Sequence, residues 1–90
     1  MRRKEVLEAA QAIVSGAREE QYGRPEDNFT RIAALWGAYL GRLLTASDVA
    51  AMMVLFKVGR LSTGAGSDDT WVDIAGYAAC GCEVKGRERA

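Results

Sequence analysis

The chain has 90 residues, 49% of them apolar, and its 12 basic residues balance its 12 acidic ones. This length predicts one small domain, and the zero net charge excludes the strong positive field that gathers duplex nucleic acid or anionic membrane. Histidine is absent, so the commonest metal ligand and general base is missing and a zinc enzyme is not expected. A Mg²⁺ site built from carboxylates stays open, because hard cations prefer oxygen ligands.

Two features of the sequence bear on the compartment. Cys80 and Cys82 stand two residues apart and would point to nearly opposite sides of a helix, so they should not bond to each other. Free thiols fit a reducing cytosol. The N-terminal residues lead into an amphipathic run rather than a signal core, and no stretch approaches the roughly 18 apolar residues of a membrane helix. We therefore expect a cytoplasmic protein without a membrane span.

The first predicted helix covers residues of about 3–21. Its apolar side chains recur at helical spacing, at Val6, Leu7, Ala10, Ile13, Val14 and Ala17. Gly23 follows it, and glycine favours the left-handed conformation that ends many helices. The pattern therefore predicts an amphipathic helix with one face toward a core.

The second predicted helix covers about 25–43. Pro25 suits its first position, since proline lacks the N–H that is unbonded there. Its apolar stripe consists of Phe29, Ile32, Trp36, Leu40 and Leu43. Together with Ala33, the glycines Gly37 and Gly41 form a smooth groove at four-residue spacing. Glycine inside a helix costs stability, so this groove indicates a close approach of another helix backbone.

The third predicted helix covers about 46–61. Thr45 can cap it, and Asp48 three residues later completes a capping box. The following run, Val49–Phe56, is apolar on every side. A helix of this kind is buried all round, which in a short chain indicates the centre of a bundle or of an assembly of several copies.

The fourth predicted helix covers about 69–84, after a polar loop that lacks the ending of a phosphate-binding P-loop. No segment alternates polar and apolar residues as a strand does. The sequence therefore predicts an all-α fold: a single domain over 1–90, a four-helix bundle with short connections, and a core shared in a homo-oligomer.

The start of the fourth helix carries the candidate functional residues. Asp69, Asp73 and Tyr77 stand four apart and share one helical face. The preceding helix ends with Lys57 and Arg60, which could meet phosphate oxygens, the arginine as a fork and the lysine as a point charge. This pattern predicts a site between two helices that combines acids with bases.

The acids of this site offer a second chemistry. Asp69 and Asp73 could hold Mg²⁺ between them, with Asp48 or Glu20 arriving from another helix. Tyr77 and Trp71 could stack on a base or sugar. The site then suits a nucleotide or another small molecule that bears phosphate.

Each of these residues also has a purely structural interpretation. Asp69 and Asp48 suit helix starts, where acids cap free N–H groups. Asp73 lies inside a helix and could form a buried structural pair with Lys57 or Arg60. Tyr22 and Tyr77 could be core residues, each with its hydroxyl at the rim of the core. The residues alone leave these alternatives open.

Several blocks of the sequence resemble a family of small phage and prophage proteins of unassigned function. The resemblance covers most of the chain and rests on Tyr22-Gly23, Asp27-Asn28-Phe29, Asp48-Val49-Ala50, Lys57-Val-Gly-Arg60 and Asp69-Thr-Trp-Val-Asp-Ile-Ala-Gly-Tyr77. The family looks distantly similar to the MazG-type all-α nucleoside triphosphate pyrophosphohydrolases. Those proteins are helical, oligomeric and Mg²⁺-dependent, and they cut a triphosphate between its α and β phosphates.

The MazG-type signature matches in part. It has a Glu-x-x-Glu helix and a later Glu-x-x-Asp helix, and Asp73 would stand for the last acid, with Asp69 one turn before it. The first pair departs from the signature, because Glu19 and Glu20 are adjacent. The departure affects a metal cluster more than it affects binding, which needs only positive and stacking groups.

Three functions follow from these observations. The first is a phage-type nucleotide-binding oligomer in the host cytosol that sequesters a nucleotide, for instance a host defence signal, without turnover. Its predicted ligand residues are Lys57, Arg60, Asp73, Tyr77, Trp71, Asn28 and Tyr22. The second is a Mg²⁺-dependent pyrophosphohydrolase with Asp48, Asp69 and Asp73 on the metal. The third is a helical interaction module whose charges are structural. The unmatched acidic pair favours the first.

Overall fold

Four helices make up the part of the chain that the computed structural model describes, which is residues 1–15, 23–64 and 67–88. In chain order they are α1 (Arg3–Val14), α2 (Pro25–Leu40), α3 (Ala46–Ser62) and α4 (Asp68–Glu88). These three ranges contain no strand. The predicted all-α class is therefore confirmed. None of the helices in the described residues is both long and apolar enough to cross a membrane.

The helix α1 ends earlier than its apolar pattern predicts. The helical spacing continues to Ala17, but Ser15 adopts an extended conformation with φ −131° and ψ 164°, so α1 ends at Val14 rather than near residue 21. The remainder of the predicted helix, residues 16–21, lies outside the described residues. The apolar periodicity predicts which side chains share a helical face, but it does not predict where the helical backbone ends.

The end of α2 corrects the interpretation of its glycines. Gly41 is left-handed, with φ 71°, and its N–H donates to the carbonyl of Gly37, so α2 ends at Leu40 instead of near residue 43. Gly37 is buried, and a Cβ there would lie 2.7 Å from the carbonyl oxygen of Arg42. The close approach at Gly37 is therefore to the chain's own next turn rather than to another helix.

The start of α3 is held by two sets of side chains. Thr45 Oγ1 accepts from the N–H of Asp48 at 3.1 Å, and the Asp48 carboxylate accepts from the N–H of Thr45 at 2.9 Å, which confirms the predicted capping box. The N–H and hydroxyl of Ser47 donate to the Glu88 carboxylate at 2.9 and 2.8 Å. This contact, the Ser47–Glu88 anchor, forms because α4 continues past Val84, where the predicted helix ends, to Glu88.

The helix α4 is the centre of the packing, since it contacts each of the other three helices and contacts α3 most extensively. The close crossing of α3 and α4 is at Gly81, where a Cβ would lie 3.0 Å from the Cβ of Ala50. The main buried cluster is formed by Phe29, Ala33, Ala46, Val49, Ala50 and Val84. Small residues therefore let the two longest helices approach closely.

The described residues do not enclose the helix α3. Val49 is fully buried, but Leu55 and Phe56 are 67% and 56% exposed. The expectation that α3 is buried all round is therefore wrong for a single chain, because α4 takes the central position. A core shared between copies remains a prediction.

Candidate functional site

A cavity of about 380 Å³, here called the larger cavity, lies among the four helices. Its volume is within the range of roughly 300–1,000 Å³ that small-molecule sites occupy. Most of its lining is apolar, and four of the predicted ligand residues reach it, namely Asn28, Lys57, Asp73 and Tyr77. An apolar cavity with a few converging polar groups is the usual form of a ligand site.

Lys57 and Asp73 meet in the larger cavity. The Nζ of Lys57 lies 3.0 Å from Oδ2 of Asp73, and their side chains are 17% and 33% exposed. The ammonium also lies 5.9 Å from the centroid of the Phe56 ring. Of the two partners predicted for Asp73, the structure selects Lys57. Because an ammonium has three N–H donors, the pair leaves Lys57 able to bond a ligand.

An aromatic wall forms one side of the larger cavity. The ring centroids of Phe29 and Tyr77 lie 6.1 Å apart at an interplanar angle of 33°, a separation typical of interacting aromatic pairs. Phe29 is buried, and Tyr77 is half-buried. Asn28, the residue before Phe29, accepts a hydrogen bond from Arg31 at 3.3 Å. This side of the cavity therefore combines ring faces with a carboxamide.

Three predicted residues do not reach the larger cavity. Arg60 is exposed in the last turn of α3, Trp71 is exposed on α4, and neither lines the space. Asp69 is exposed in the first turn of α4. Tyr22 lies outside the described residues, as does Glu20. The described part of the site therefore keeps one predicted cation, Lys57.

Asp48 lies far from the other acids of the predicted metal site. Lys57, which pairs with Asp73, lies nine positions after Asp48 on α3, about 13 Å farther along the helix axis. The N–H of Thr45, together with its hydroxyl, lowers the pKa of Asp48. Among the described residues, no three acidic or cysteine side chains lie together as a metal site. The structure thus assigns Asp48 to capping.

A second cavity of about 140 Å³, the smaller cavity, adjoins the larger one. Both are lined by Val14, Pro25 and Cys80, so these three residues form their common wall. The smaller cavity also carries four charged side chains, Arg24, Glu26, Glu83 and Arg87. We call these four residues the charged cluster.

Glu26 is the centre of the charged cluster. Its Oε1 accepts from Nε of Arg24 at 2.6 Å and also from Arg87, whose second nitrogen donates to Glu83 at 2.6 Å. Burial raises the pKa of Glu26, but bonds from its own backbone N–H and from both arginines outweigh that effect, so the pKa lies below its ordinary value. The carboxylate is therefore ionised at neutral pH.

The charged cluster was not predicted from the sequence. Glu83 and Arg87 have the four-residue spacing of a helical ion pair, but the fourth helix was predicted to end near residue 84. The contact from Arg87 to Glu26 joins residues 61 positions apart, and local spacing carries no signal for it. Only the longer α4 brings these residues together.

Nearly the whole chain matches a known protein family. Residues 5–85 match the family described as Domain of unknown function (DUF6378). The chain belongs to this family. The matched range contains every residue that lines the larger cavity, whereas Arg87 lies beyond it.

Two phage proteins are relatives of this DUF6378 chain. It is 47% identical over 74 residues to the Gene 55 protein of Mycobacterium phage L5, covering 81% of this chain and 47% of that protein. It is 40% identical over 75 residues to the Gene 55 protein of Mycobacterium phage D29, covering 83% of this chain and 50% of that protein. The chain thus spans about half the length of these relatives. No solved structure matches it.

Proposed function

We propose that this protein binds a nucleotide in the larger cavity without hydrolysing it. The observation that carries the proposal is the Lys57–Asp73 pair, 3.0 Å apart and largely shielded from water inside a cavity of about 380 Å³. Such a space accepts the base and sugar of a nucleotide. The pair offers donors and acceptors to the polar parts of the same ligand.

The polar and aromatic side chains that line the larger cavity each have a role in this proposal. The rings of Tyr77 and Phe29 provide surface on which a base can stack. The carboxamide of Asn28 offers both a donor and an acceptor to a base edge. Lys57 would bond phosphate oxygens with donors not directed at Asp73, which would accept from ribose hydroxyls or the base.

Hydrolysis by a MazG-like mechanism is the second candidate. It would place Mg²⁺ on Asp69 and Asp73, with Asp48 as the third acid. The capping role of Asp48 at the far end of α3 favours binding over this alternative. In the third candidate, an interaction module without a small ligand, the Lys57–Asp73 pair would serve stability alone.

The phage relatives support a biological setting for the proposal. Both are proteins of mycobacteriophages, whose proteins are made inside the bacterial host. We therefore propose the bacterial cytosol as the site of action. A nucleotide that signals host defence would be a suitable ligand, because binding without turnover is sufficient to withdraw it.

We also propose that a second copy of the chain covers exposed apolar side chains of α2 and α3. They are Leu35, Tyr39 and Leu40 of α2 and Leu55 and Phe56 of α3, each more than half exposed, and the exposed Leu43 follows in the connection between the two helices. Together they expose apolar surface on the order of several hundred Å². This is a substantial part of the roughly 800 Å² that each partner buries in a standard interface. With zero net charge, one copy does not repel another.

Light scattering tests this assembly. It should give a dimer or larger assembly that Phe56→Ser weakens, and a wild-type monomer at micromolar concentration would contradict the proposal.

Calorimetric titration tests the nucleotide proposal. Purified protein is titrated with nucleoside triphosphates and cyclic nucleotides, with and without Mg²⁺, and each mixture is then chromatographed. We expect a nucleotide that binds and is recovered intact. Conversion to monophosphate and pyrophosphate only with Mg²⁺ would establish the enzyme instead, and no binding by any nucleotide would favour the interaction module.

A matched pair of lysine variants ties binding to the cavity. Lys57→Met should weaken the affinity by about tenfold or more, because it removes a charged donor. Lys4→Met serves as the control, since Lys4 is 85% exposed on α1 and does not line the cavity. Equal affinities for the two variants would contradict a ligand at Lys57.

A further inference from the structure

Three side chains of the larger cavity follow one another in a fixed order. Tyr77 lies four residues after Asp73 on the same face of α4, about 6 Å along the helix axis. The Asp73 carboxylate in turn lies 3.0 Å from the Lys57 ammonium on α3. All three side chains line the cavity. Its lining therefore presents an aromatic ring, then an anionic acceptor, then a cationic donor.

The pair in the middle of this order has hydrogen-bonding capacity beyond its own contact. Each oxygen of a carboxylate accepts more than one hydrogen bond, so the bond from Lys57 leaves Asp73 able to accept from a ligand hydroxyl. The ammonium keeps donors for an anionic oxygen. Since Nζ and Oδ2 are 3.0 Å apart, the hydroxyl and the anion that meet them must be close neighbours in the ligand.

A ribose carries matching groups in the same order. Its first carbon bears the base, its second the 2′-hydroxyl, and its third the oxygen to which a 3′-phosphate is attached. With the base stacked on Tyr77, the 2′-hydroxyl would donate to Asp73 and the 3′-phosphate would accept from Lys57. A 5′-phosphate is attached beyond the fourth carbon, across the sugar from the 2′-hydroxyl. The order of the side chains therefore favours a 3′-phosphate next to a free 2′-hydroxyl.

The charge of the pair favours a phosphate with a single negative charge. That charge gains energy because it contacts the Lys57 ammonium and lies farther from the Asp73 carboxylate. Further charges on the same ligand lie at similar distances from both partners, so attraction and repulsion nearly cancel while the loss of hydration remains. The charged cluster is balanced in the same way, with two arginines and two glutamates. A phosphodiester suits these conditions better than a polyphosphate.

We infer that the ligand is a ribonucleotide held through a 3′-phosphodiester and the adjacent 2′-hydroxyl. The inference rests on the proposed nucleotide function and specifies its ligand class. This group has two sources, the ring of a 3′,5′-cyclic nucleotide and the linkage between two ribonucleotides. In both, the phosphate carries one negative charge. A nucleoside 5′-triphosphate has neither the 3′-phosphate nor the single charge.

The test compares ligands that share one base. They are the 3′,5′-cyclic nucleotide, a dinucleoside monophosphate with a 3′–5′ linkage, the 2′-deoxy form of each, and the 5′-triphosphate. Calorimetric titration of the full chain without Mg²⁺ gives their affinities. We expect one or both of the ribose diesters to bind about tenfold more tightly than the triphosphate, and the tighter diester identifies the source. Loss of the 2′-hydroxyl should weaken that ligand about fivefold or more, because a hydrogen bond to a charged acceptor is lost.

Asp73→Asn should change the affinities for two ligands in opposite directions. It removes the negative charge beside Lys57, so the triphosphate should bind about threefold or more tightly than it binds wild type. The ribose diester should bind less tightly, and its advantage over the deoxy form should shrink, because a neutral amide is a weaker acceptor. Glu8→Gln removes the same charge from an exposed position on α1 and should change neither affinity. If Asp73 only supported the fold, Asp73→Asn would weaken all of these ligands alike.

The possible results separate this inference from the nucleotide proposal. If the triphosphate binds most tightly and Lys57→Met weakens it, the nucleotide proposal stands and the phosphodiester inference is wrong. Equal affinities of the ribose and deoxy forms would also contradict the inference. If none of the ligands binds, both are wrong. Melting curves show whether Asp73→Asn folds, and if it does not, the comparison of ribose, deoxy and triphosphate ligands on wild-type protein decides.

Discussion

Lys57 and Asp73 hold the ends of two antiparallel helices together from inside the larger cavity, with 3.0 Å between Nζ and Oδ2. The pair is both a contact between α3 and α4 and the main polar feature of the candidate site. Its two possible roles give different results when both partners are replaced, because a structural pair can be replaced by apolar contact and a ligand-binding pair cannot.

Asp73→Asn should destabilise the protein by about 1–3 kcal/mol, because it leaves the Lys57 ammonium half-buried without its anion. Urea unfolding measures this change. Glu8→Gln is the control, since Glu8 belongs to an exposed pair with Lys4 at 3.9 Å and should cost less than about 0.5 kcal/mol. Equal losses for the two variants would contradict a special position for Asp73.

Combining Lys57→Met with Asp73→Leu should recover most of the stability that Asp73→Asn loses, because no uncompensated charge remains in the cavity. Nucleotide binding should stay absent in this double variant. Unfolding and titration on the same preparation check both statements. Recovery of binding together with stability would mean that the pair is not part of the ligand site.

Variants of Tyr77 should show that its ring, rather than its hydroxyl, contributes to the affinity for the nucleotide. Tyr77→Phe should keep the affinity for the nucleotide within about threefold, whereas Tyr77→Leu should weaken it about tenfold, since base–aromatic stacking contributes roughly 1–3 kcal/mol. Tyr39→Leu is the matched control, because Tyr39 is 89% exposed on α2 and does not line the cavity. A Tyr77→Leu protein that binds as tightly as Tyr39→Leu would contradict stacking on this wall.

The parts of the structure that local spacing determines could be predicted from the sequence. The Thr45–Asp48 capping box is a three-residue relation, and the charges at Lys57 and Asp73 were recognised as possible partners because they stand out on apolar helices. Trp71 and Arg60 were included for their chemistry alone. Their exclusion from the cavity depends on how α3 and α4 rotate against each other, which is set by packing across the whole chain.

The contacts between the most distant parts of the chain could not be predicted. The Ser47–Glu88 and Glu26–Arg87 contacts join residues 41 and 61 positions apart, and their charges are no different from those of any solvated helix face. Gly41 was predicted to lie in a groove inside the second helix, but its spacing is ambiguous, because a glycine at helical spacing suits a helix end equally well. The left-handed backbone of Gly41 resolves that ambiguity.

Two glycines should respond in opposite directions to a larger side chain. Gly59 has nothing within 4 Å of its Cβ position, so Gly59→Ala should stabilise the protein by about 0.5–1 kcal/mol through helix propensity. At Gly81 a Cβ would lie 3.0 Å from the Cβ of Ala50, so Gly81→Val should cost about 1–3 kcal/mol. Urea unfolding checks both. A stabilising Gly81→Val would mean that α3 and α4 do not cross closely there.

The anchor between Ser47 and Glu88 should make stability depend on acid. The N–H and hydroxyl of Ser47 lower the pKa of Glu88 below its ordinary value. A carboxyl group whose pKa is lower in the folded protein adds stability above its unfolded pKa and loses it as pH falls through the folded value. Glu88→Gln should therefore melt at a lower temperature than wild type at pH 7 and at nearly the same temperature near pH 3. Glu8→Gln is the control, and it should follow the wild-type melting curve at both pH values because the pair of Glu8 is exposed and long. If the difference between Glu88→Gln and wild type persisted unchanged at pH 3, the anchor would owe nothing to the charge of Glu88.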